Sequence, residues 1–235
     1  MMASHNFLKS SQQTIKMLNE TAFQAITEQA EQAGALLVAV TKQRPISVIE
    51  RMYELGHRDF GENRVEELLE KQAALPKDIN WHFIGHLQRN KVKKIAPFVH
   101  LVHGGDSPRL LRELNKQAVN SDRHIRVLLQ YHIAEEESKY GLDAEAPDAV
   151  MQDLDLRDIG NLLISGVMGM ATYTTDEDQV AAEFGQLHTV FAGLKKNLFA
   201  DNPNFRILSM GMSGDYEIAL RQGSNLVRVG SALYE

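Results

Sequence analysis

Short apolar runs rich in β-branched residues recur along the chain, and each run leads into a polar stretch with helical spacing. Apolar runs of this length, bounded by turn residues, are typical of buried β-strands. The runs predict eight strands, at 36–42, 58–62, 81–85, 101–103, 126–132, 164–170, 206–210 and 226–229.

The polar segments between these runs carry sequence signals of α-helices. Segment 46–55 has apolar residues close to helical spacing and is followed by Gly56. Ser107 and Pro108 suit the N-cap and the first position of a helix, and Thr175 precedes acidic residues that favour a helix start. The predicted helices span 10–33, 46–55, 65–74, 107–119 and 178–199.

The alternation of strands and helices predicts a parallel sheet, because parallel strands need long crossover connections. Eight such units in 235 residues favour an α/β fold of the closed (β/α)8 TIM barrel type, preceded by an N-terminal helix. The alternative is an open doubly wound sheet, but no G-x-G-x-x-G motif follows the first predicted strand. The lack of a linker or a composition shift predicts a single domain over 1–235.

Composition and charge narrow the class of protein further. Hydrophobic residues make up 43% of the chain and the formal net charge is −6, so we expect no bulk binding to nucleic acid. The chain has no cysteine, which excludes disulfides and thiolate metal sites. The N-terminal residues do not form a secretory signal, and no apolar run reaches membrane-spanning length. We therefore expect a cytoplasmic protein with no membrane partner.

Lys42 stands where the first predicted strand ends, in the stretch LLVAVTKQRP. In a closed barrel of this kind the chemistry gathers at the carboxyl ends of the strands. A lysine there either extends its amine into water or, when desolvated, attacks a carbonyl to form a Schiff base. Because lysines are mostly exposed, this residue alone favours the first interpretation.

Two glycine-containing segments, MSGD at 212–215 and RVGS at 228–231, follow or overlap the last two predicted strands. TIM barrels commonly build a phosphate site from the loops at this position, where N–H groups meet phosphate oxygens. Gly214 and Gly230 could instead serve only tight turns. A lysine and a phosphate site together suit pyridoxal 5′-phosphate (PLP), whose aldehyde needs an amine. They would also suit a Schiff-base aldolase with a phosphorylated sugar.

Five longer motifs extend over nearly the whole chain: AVTKQRP, RDFGENRVEE, WHFIGHLQRNK, SMGMSGDYEIAL and VRVGSALY. Together they resemble the pyridoxal phosphate homeostasis protein family, also called the YggS/PROSC group. The resemblance implies a fold similar to the barrel domain of alanine racemase. It also implies binding of PLP and control of its supply, with no established catalytic activity.

The resemblance implies a role for individual residues of this chain. Lys42 would hold the cofactor as a Schiff base, and Asn63 would line the site near the ring. Arg228 would face the pyridine nitrogen, where its positive charge disfavours protonation of the ring. The phosphate would be held by Ser213, Gly214, Gly230 and Ser231.

Several positions are less clearly tied to the cofactor. Met168, on the sixth predicted strand, fits either a place near the cofactor or an ordinary core position. The chain departs from the family pattern with His86 in place of proline, Arg64 in place of tyrosine and Ser231 in place of threonine. These departures leave Lys42 unchanged and concern the rim of the site.

The alternative to a carrier is an enzyme, such as a racemase. Racemases of this fold take a second base from a C-terminal β domain, and the chain ends just past the eighth predicted strand, so we expect no more than weak one-base activity. The same domain normally forms the dimer, so we expect a monomer. The expected partners are PLP and apo PLP-dependent enzymes. We expect no metal, because the pairs His82/His86 and His100/His103 fall at strand ends rather than on a helix.

Overall fold

Nine parallel strands form the sheet in the computed structural model, which describes residues 17–136, 140–152, 154 and 159–235. Eight of them close into a barrel in the order β4-β3-β2-β1-β9-β8-β7-β5, because β4 also pairs with β5. Within the described residues, the short β6 pairs with β5 alone. The strands are β1 Leu36–Val40, β2 Asp59–Glu62, β3 Asn80–Phe83, β4 Leu101–Gly105, β5 Ile125–His132, β6 Leu142–Asp143, β7 Leu162–Met168, β8 Ile207–Ser209 and β9 Leu226–Val229.

The closed barrel confirms the predicted α/β TIM-barrel fold, and each predicted strand has a counterpart with ends within two residues. Only β6 was not predicted, because a two-residue strand carries no periodic pattern. The prediction worked because strands covered by helices read as continuous apolar runs. In β1, for example, the burial pattern is one exposed residue followed by four buried ones.

Helices surround the barrel and follow most of its strands. The helices are α1 Glu20–Gln32, α2 Ile46–Glu54, α3 Val65–Ala74, α4 Arg89–Ile95, α5 Pro108–Asn120, α6 Ala149–Gln152, α7 Glu177–Asn197 and α8 Tyr216–Arg221, and a 3-10 helix spans Ser231–Leu233. Ser107 caps α5 and Pro108 is its first residue, as predicted. Within the described ranges, no helix has the length and apolar character needed to cross a membrane.

Two predicted helix starts were wrong. The first helix does not run through 17–19: it begins at Glu20, because the Asn19 side chain accepts the Ala22 N–H at 2.9 Å and caps it. The predicted part at 10–16 lies outside the described residues. The cap of α7 is Asp176 rather than Thr175, since the Asp176 carboxylate accepts two backbone N–H groups of the first turn.

Strand residues alternate between the outer helices and the barrel interior. On the outer face, Ala39 and Phe60 join the large core that includes the helices. The interior apolar cluster is smaller and contains Val38, Leu101, Leu128, Met168 and Leu226. Met168 is therefore a core residue of the interior. Polar side chains share this interior, and four of them are at most 4% exposed: His82, His103, Ser209 and Arg228.

Candidate functional site

The residues expected to bind the cofactor lie in or after four neighbouring strands of the barrel. The strands β8, β9, β1 and β2 are adjacent in the sheet, and parallel strands present their carboxyl ends at one rim. The residues are Ser213 and Gly214 after β8, Arg228, Gly230 and Ser231 in or after β9, Lys42 after β1, and Asn63 after β2. The fold thus places all seven in or after adjacent strands, with Arg228 inside the barrel and the other six after the carboxyl ends of their strands.

Lys42 is the second residue after β1, and its side chain is exposed. The preceding residue, Thr41, is fully buried. Its N–H donates to Gly61 O at 3.0 Å, and its hydroxyl donates to Glu62 Oε1 at 2.6 Å. The following residue, Gln43, has a left-handed φ of 59°, which turns the chain away from the strand direction.

The turn that carries Lys42 is held by Lys71, a lysine of α3 that is only 3% exposed. Its Nζ donates to Thr41 O at 2.8 Å and to Glu62 Oε1 at 2.7 Å. The third N–H donates to Glu67 Oε1 at 2.6 Å, so all three ammonium donors are used. Glu67 Oε1 also accepts the Gln43 N–H at 2.5 Å. The backbone on both sides of Lys42 is therefore bound to one ion-pair network.

The carboxylate in this network, Glu62, is completely buried, and only one of its oxygens is hydrogen-bonded within the described part of the chain. Burial raises the pKa of Glu62, while the charge and hydrogen bond of Lys71 act in the opposite direction. This network was not predicted from the sequence. Its signal was Lys71 itself, which lies three residues after the buried Leu68 on the apolar face of α3.

The two predicted phosphate segments are joined by hydrogen bonds of Ser213. Its Oγ accepts the Gly230 N–H at 3.0 Å and the Ala232 N–H at 3.4 Å. Gly230 also lies close to β1, since a Cβ added to it would be 3.2 Å from Val40 Cβ. A Cβ added to Gly214 would meet nothing within 4 Å. The segments therefore pack on the strand that leads to Lys42, and Gly214 borders open space.

Tyr234 connects the end of the described chain to the same strand. Its hydroxyl donates to Val40 O at 2.8 Å, and the Arg44 guanidinium lies 4.4 Å from its ring centroid. Burial raises the pKa of the Tyr234 hydroxyl. Tyr234 was quoted in a motif but assigned no role, because its partner is a backbone oxygen nearly two hundred residues earlier in the chain.

Arg228 is a buried cation inside the barrel, only 4% exposed. Its Nη1 donates to Ser209 Oγ at 2.5 Å, and its Nη2 donates to Gly169 O at 3.1 Å. Burial lowers the pKa of Arg228 to about 10, and the charge of Asp215 acts in the opposite direction. The guanidinium is therefore still protonated at neutral pH.

A chain of polar contacts continues from Arg228 through the barrel interior. Ser209 Oγ lies 3.4 Å from His103 Nδ1, and His103 Nε2 lies 3.0 Å from His82 Nδ1. His82 Nε2 lies 3.0 Å from Asp59 Oδ1. A guanidinium can only donate and a carboxylate can only accept, so neutral imidazoles must both carry the proton on Nε2. Every hydrogen bond then points from Arg228 towards Asp59.

The histidines that contact one another are not the pairs close in sequence, His82/His86 and His100/His103. His82 contacts His103 and His100, whose ring centroids are 5.3 and 5.4 Å from that of His82. His86 lies elsewhere, at the rim, where its ring stacks on Tyr140 at 4.3 Å and Nδ1 is 3.0 Å from a carboxylate oxygen of Asp106. Spacing along the chain could not reveal this, because the contacts join neighbouring strands. Arg64, the other rim residue, is the exposed N-cap of α3.

Comparison with known proteins places the chain in a family. The profile of the alanine racemase N-terminal domain family matches residues 20–235. The chain is 34% identical to the pyridoxal phosphate homeostasis protein of Aquifex aeolicus, over 89% of this chain and 92% of that one. It is also 34% identical to the human protein of the same name, over 94% of this chain and 84% of that one. The chain belongs to the pyridoxal phosphate homeostasis protein family.

A solved member of similar sequence supports this family assignment. PipY of Synechococcus elongatus, solved without PLP, is 31% identical and superposes with a TM-score of 0.83 over 92% of this chain and 99% of that one. The form of PipY with PLP bound has a TM-score of 0.78 over 91% of this chain and 100% of that one. The resemblance inferred from the motifs is therefore confirmed at the level of family and fold.

Proposed function

We propose that this chain binds PLP as a Schiff base on Lys42 and buffers the cofactor or delivers it to apo enzymes. The observation that carries the proposal is the contact of Ser213 with Gly230, which joins both phosphate segments beside the strand that leads to Lys42. The names of the relatives and the PLP-bound form of PipY support the same ligand. A carrier needs an amine and an anion site close to each other, and the proximity of Lys42 and the joined Ser213–Gly230 segments to the same strand, β1, supports this proposal.

The phosphate end of the proposed site consists of backbone N–H groups and one hydroxyl group that lie close together. The N–H groups of Gly230 and Ala232 both point at Ser213 Oγ, so they converge on one position. A phosphate oxygen can accept the same N–H groups if the Ser213 side chain rotates away from them, and the freed Ser213 hydroxyl can then donate to the phosphate. The open space beside Gly214 gives the anion access, and the backbone of Ser231 borders the same loop.

The amine end of the proposed site depends on a fixed backbone and a free side chain. The network around Lys71 holds the residues before and after Lys42, while the Lys42 side chain itself is exposed. PLP supplies an aldehyde that condenses with amines and a ring that can accept electrons. Arg228 stays cationic, so we propose that it disfavours a proton on the pyridine nitrogen and weakens the ring as an electron acceptor. Asn63 would line the site beside the ring.

Equilibrium titration with PLP, followed by visible absorbance, tests the proposal. We expect a saturable band in the wild type and none in Lys42→Ala. Ser213→Ala should weaken binding by about tenfold to a hundredfold, since a hydrogen bond to a charged group contributes about 1.5–3 kcal/mol. Lys77→Ala, which removes an exposed lysine, is the matched control and should bind like the wild type. Equal binding by Lys42→Ala and the control would rule the proposal out.

The enzyme alternative predicts a different result. The fold family includes racemases, but the similar relatives are named homeostasis proteins. We propose a carrier rather than a catalyst, because a cationic Arg228 opposes the ring protonation that would help to stabilise a carbanion. The test is turnover of a panel of D- and L-amino acids by the PLP-loaded protein. Steady turnover that depends on PLP would favour the enzyme.

A further inference from the structure

A second cluster of polar side chains, one carboxylate and two imidazoles, lies at the other end of the barrel from Lys42. Asp59 is the first residue of β2, His100 directly precedes β4, and His82 projects from the middle of β3. Their ligand atoms, a carboxylate oxygen and two imidazole nitrogens, all lie within 4.8 Å of one another. We propose that Asp59, His82 and His100 bind one divalent transition-metal ion, with zinc as the ion that suits them best.

The spacing of the three groups is close to that of a zinc site. Zinc binds imidazole nitrogen and carboxylate oxygen at about 2.0–2.2 Å, so tetrahedral ligand atoms lie roughly 3.3 Å apart. Asp59 Oδ1 and His82 Nε2 are already 3.0 Å apart. His100 is partly exposed, and its nitrogen must move from within 4.8 Å of the other ligand atoms to that spacing. To bind the ion, Asp59 Oδ1 and His82 Nε2 must move slightly further apart, and the His100 nitrogen must move closer to both.

The surroundings of His82 support metal binding. A ligating histidine generally has a hydrogen-bond partner on its other ring nitrogen, which fixes the orientation of the ring. His82 Nδ1 has such a partner, His103 Nε2, at 3.0 Å. If both imidazoles switch to the tautomer with the proton on Nδ1, His82 donates to His103 and exposes a lone pair on Nε2. His103 then donates to Ser209 Oγ, which has two lone pairs and accepts from Arg228 as well. The number of protons on the two imidazoles is unchanged, because His103 Nε2 passes its proton to His82 Nδ1, and the proton lost from His82 Nε2 is balanced by one gained at His103 Nδ1 through exchange with solvent.

The chemistry of the ligands indicates the class of metal. Two imidazoles and one carboxylate suit zinc and its neighbours, whereas magnesium prefers an all-oxygen octahedral shell. Three protein ligands leave a fourth zinc position for water or a small ligand. The guanidinium groups of Arg123 and Arg126 act electrostatically on His100 and oppose a dication. We therefore expect weaker binding than in closed structural zinc sites.

Calorimetric titration of zinc chloride into the full-length chain, after treatment with a chelator and without PLP, tests the inference. We expect one zinc per chain and no binding of magnesium chloride. Asp59→Asn and His100→Ala should each weaken zinc binding by at least the roughly tenfold to hundredfold that the loss of an outer hydrogen-bond partner costs. His124→Ala removes an exposed histidine outside the cluster and should bind zinc like the wild type.

Nitrogen NMR of the histidine rings in the wild type provides a second test that needs no variant to fold. One equivalent of zinc should shift the nitrogens of His82 and His100 and move the His82 proton from Nε2 to Nδ1. Absence of a zinc-binding heat, or unchanged affinity in a folded His100→Ala, would overturn the inference. Zinc that leaves both rings unshifted would overturn it as well. Since no step uses PLP, these results are independent of the proposed carrier function.

Discussion

At the scale of single residues, the buried ammonium of Lys71 holds the backbone on both sides of Lys42. Three acceptors surround it, and two of them lie on the carboxylates of Glu62 and Glu67. Removing one partner of a buried pair leaves an uncompensated charge, which is more costly than replacing both partners. The contribution of Lys71 to stability can therefore be measured by replacing Lys71 alone and together with Glu62.

We predict that Lys71→Met lowers the free energy of unfolding by about 3–5 kcal/mol, because Glu62 loses the cation that compensates its burial. The matched control, Lys77→Met, changes an exposed lysine and should alter stability by no more than about 0.5 kcal/mol. Urea denaturation of both variants measures the difference. The double variant Lys71→Met/Glu62→Leu should be more stable than Lys71→Met alone. A single-variant loss no larger than that of the control would contradict this account.

A second prediction concerns protons that the interior of the barrel fixes in place. Because the chain of contacts ends on a carboxylate that can only accept, His82 and His103 should both carry their proton on Nε2 in metal-free protein. Ring-nitrogen chemical shifts in NMR distinguish the two tautomers. A proton on Nδ1 of His82 in the presence of a chelator would contradict the predicted direction of the hydrogen bonds.

At the scale of elements, β7 and β8 approach each other at Gly166 too closely to leave room for a side chain. The φ of Gly166 is +147°, and a Cβ there would lie 1.8 Å from Ile207 O on β8. In contrast, Gly193 lies within α7, where a Cβ meets nothing within 4 Å. The two glycines therefore differ sharply in their tolerance of a methyl group.

We predict that Gly166→Ala prevents normal folding or lowers the melting temperature strongly, since strained backbone and a steric overlap coincide. Gly193→Ala should stabilise the protein by about 0.5–1 kcal/mol, the usual gain of alanine over glycine in a helix. Thermal unfolding followed by circular dichroism compares them. Similar melting temperatures for the two variants would show that the β7–β8 contact is less tight than described.

Secondary-structure elements were largely predictable from the sequence, whereas contacts between different elements were not. The strands were predictable because strands covered by helices appear in the sequence as continuous apolar runs. The candidate site loops were predictable because functional residues of TIM barrels lie after the carboxyl ends of the strands. The start of α1 was not predictable in the same way, because Asn19 caps the helix inside a segment whose sequence has helical character throughout. The Lys71 network and the His82–His103 contact were missed because they join residues of different elements. Such contacts depend on strand register, which one sequence does not reveal.

At the scale of the whole molecule, buried neutral histidine makes stability depend on pH. Burial, together with the charge of Arg228, holds the pKa of His103 well below its usual value. The unfolded chain binds this proton near pH 6.5, whereas the folded chain does not. Below that pH the unfolded state holds more protons, so the free energy of unfolding falls as pH falls.

We predict that the wild type, in buffer with a chelator, loses stability progressively as the pH decreases below about 6.5. In His103→Gln the decrease per pH unit should be smaller, even if the variant is less stable at every pH. Urea denaturation at several pH values gives the slope. His124→Gln, a change at an exposed histidine, should keep the wild-type slope. Identical slopes in all three proteins would contradict the contribution of His103.

We propose that the rim formed by β8, β9, β1 and β2 binds PLP covalently through Lys42. The most direct measurement is borohydride reduction of the PLP-loaded protein, followed by mass spectrometry of its peptides. We predict a single stoichiometric label on Lys42 and loss of that label in Lys42→Ala. A label on another lysine, or a wild type that binds PLP but acquires no label, would contradict the claim.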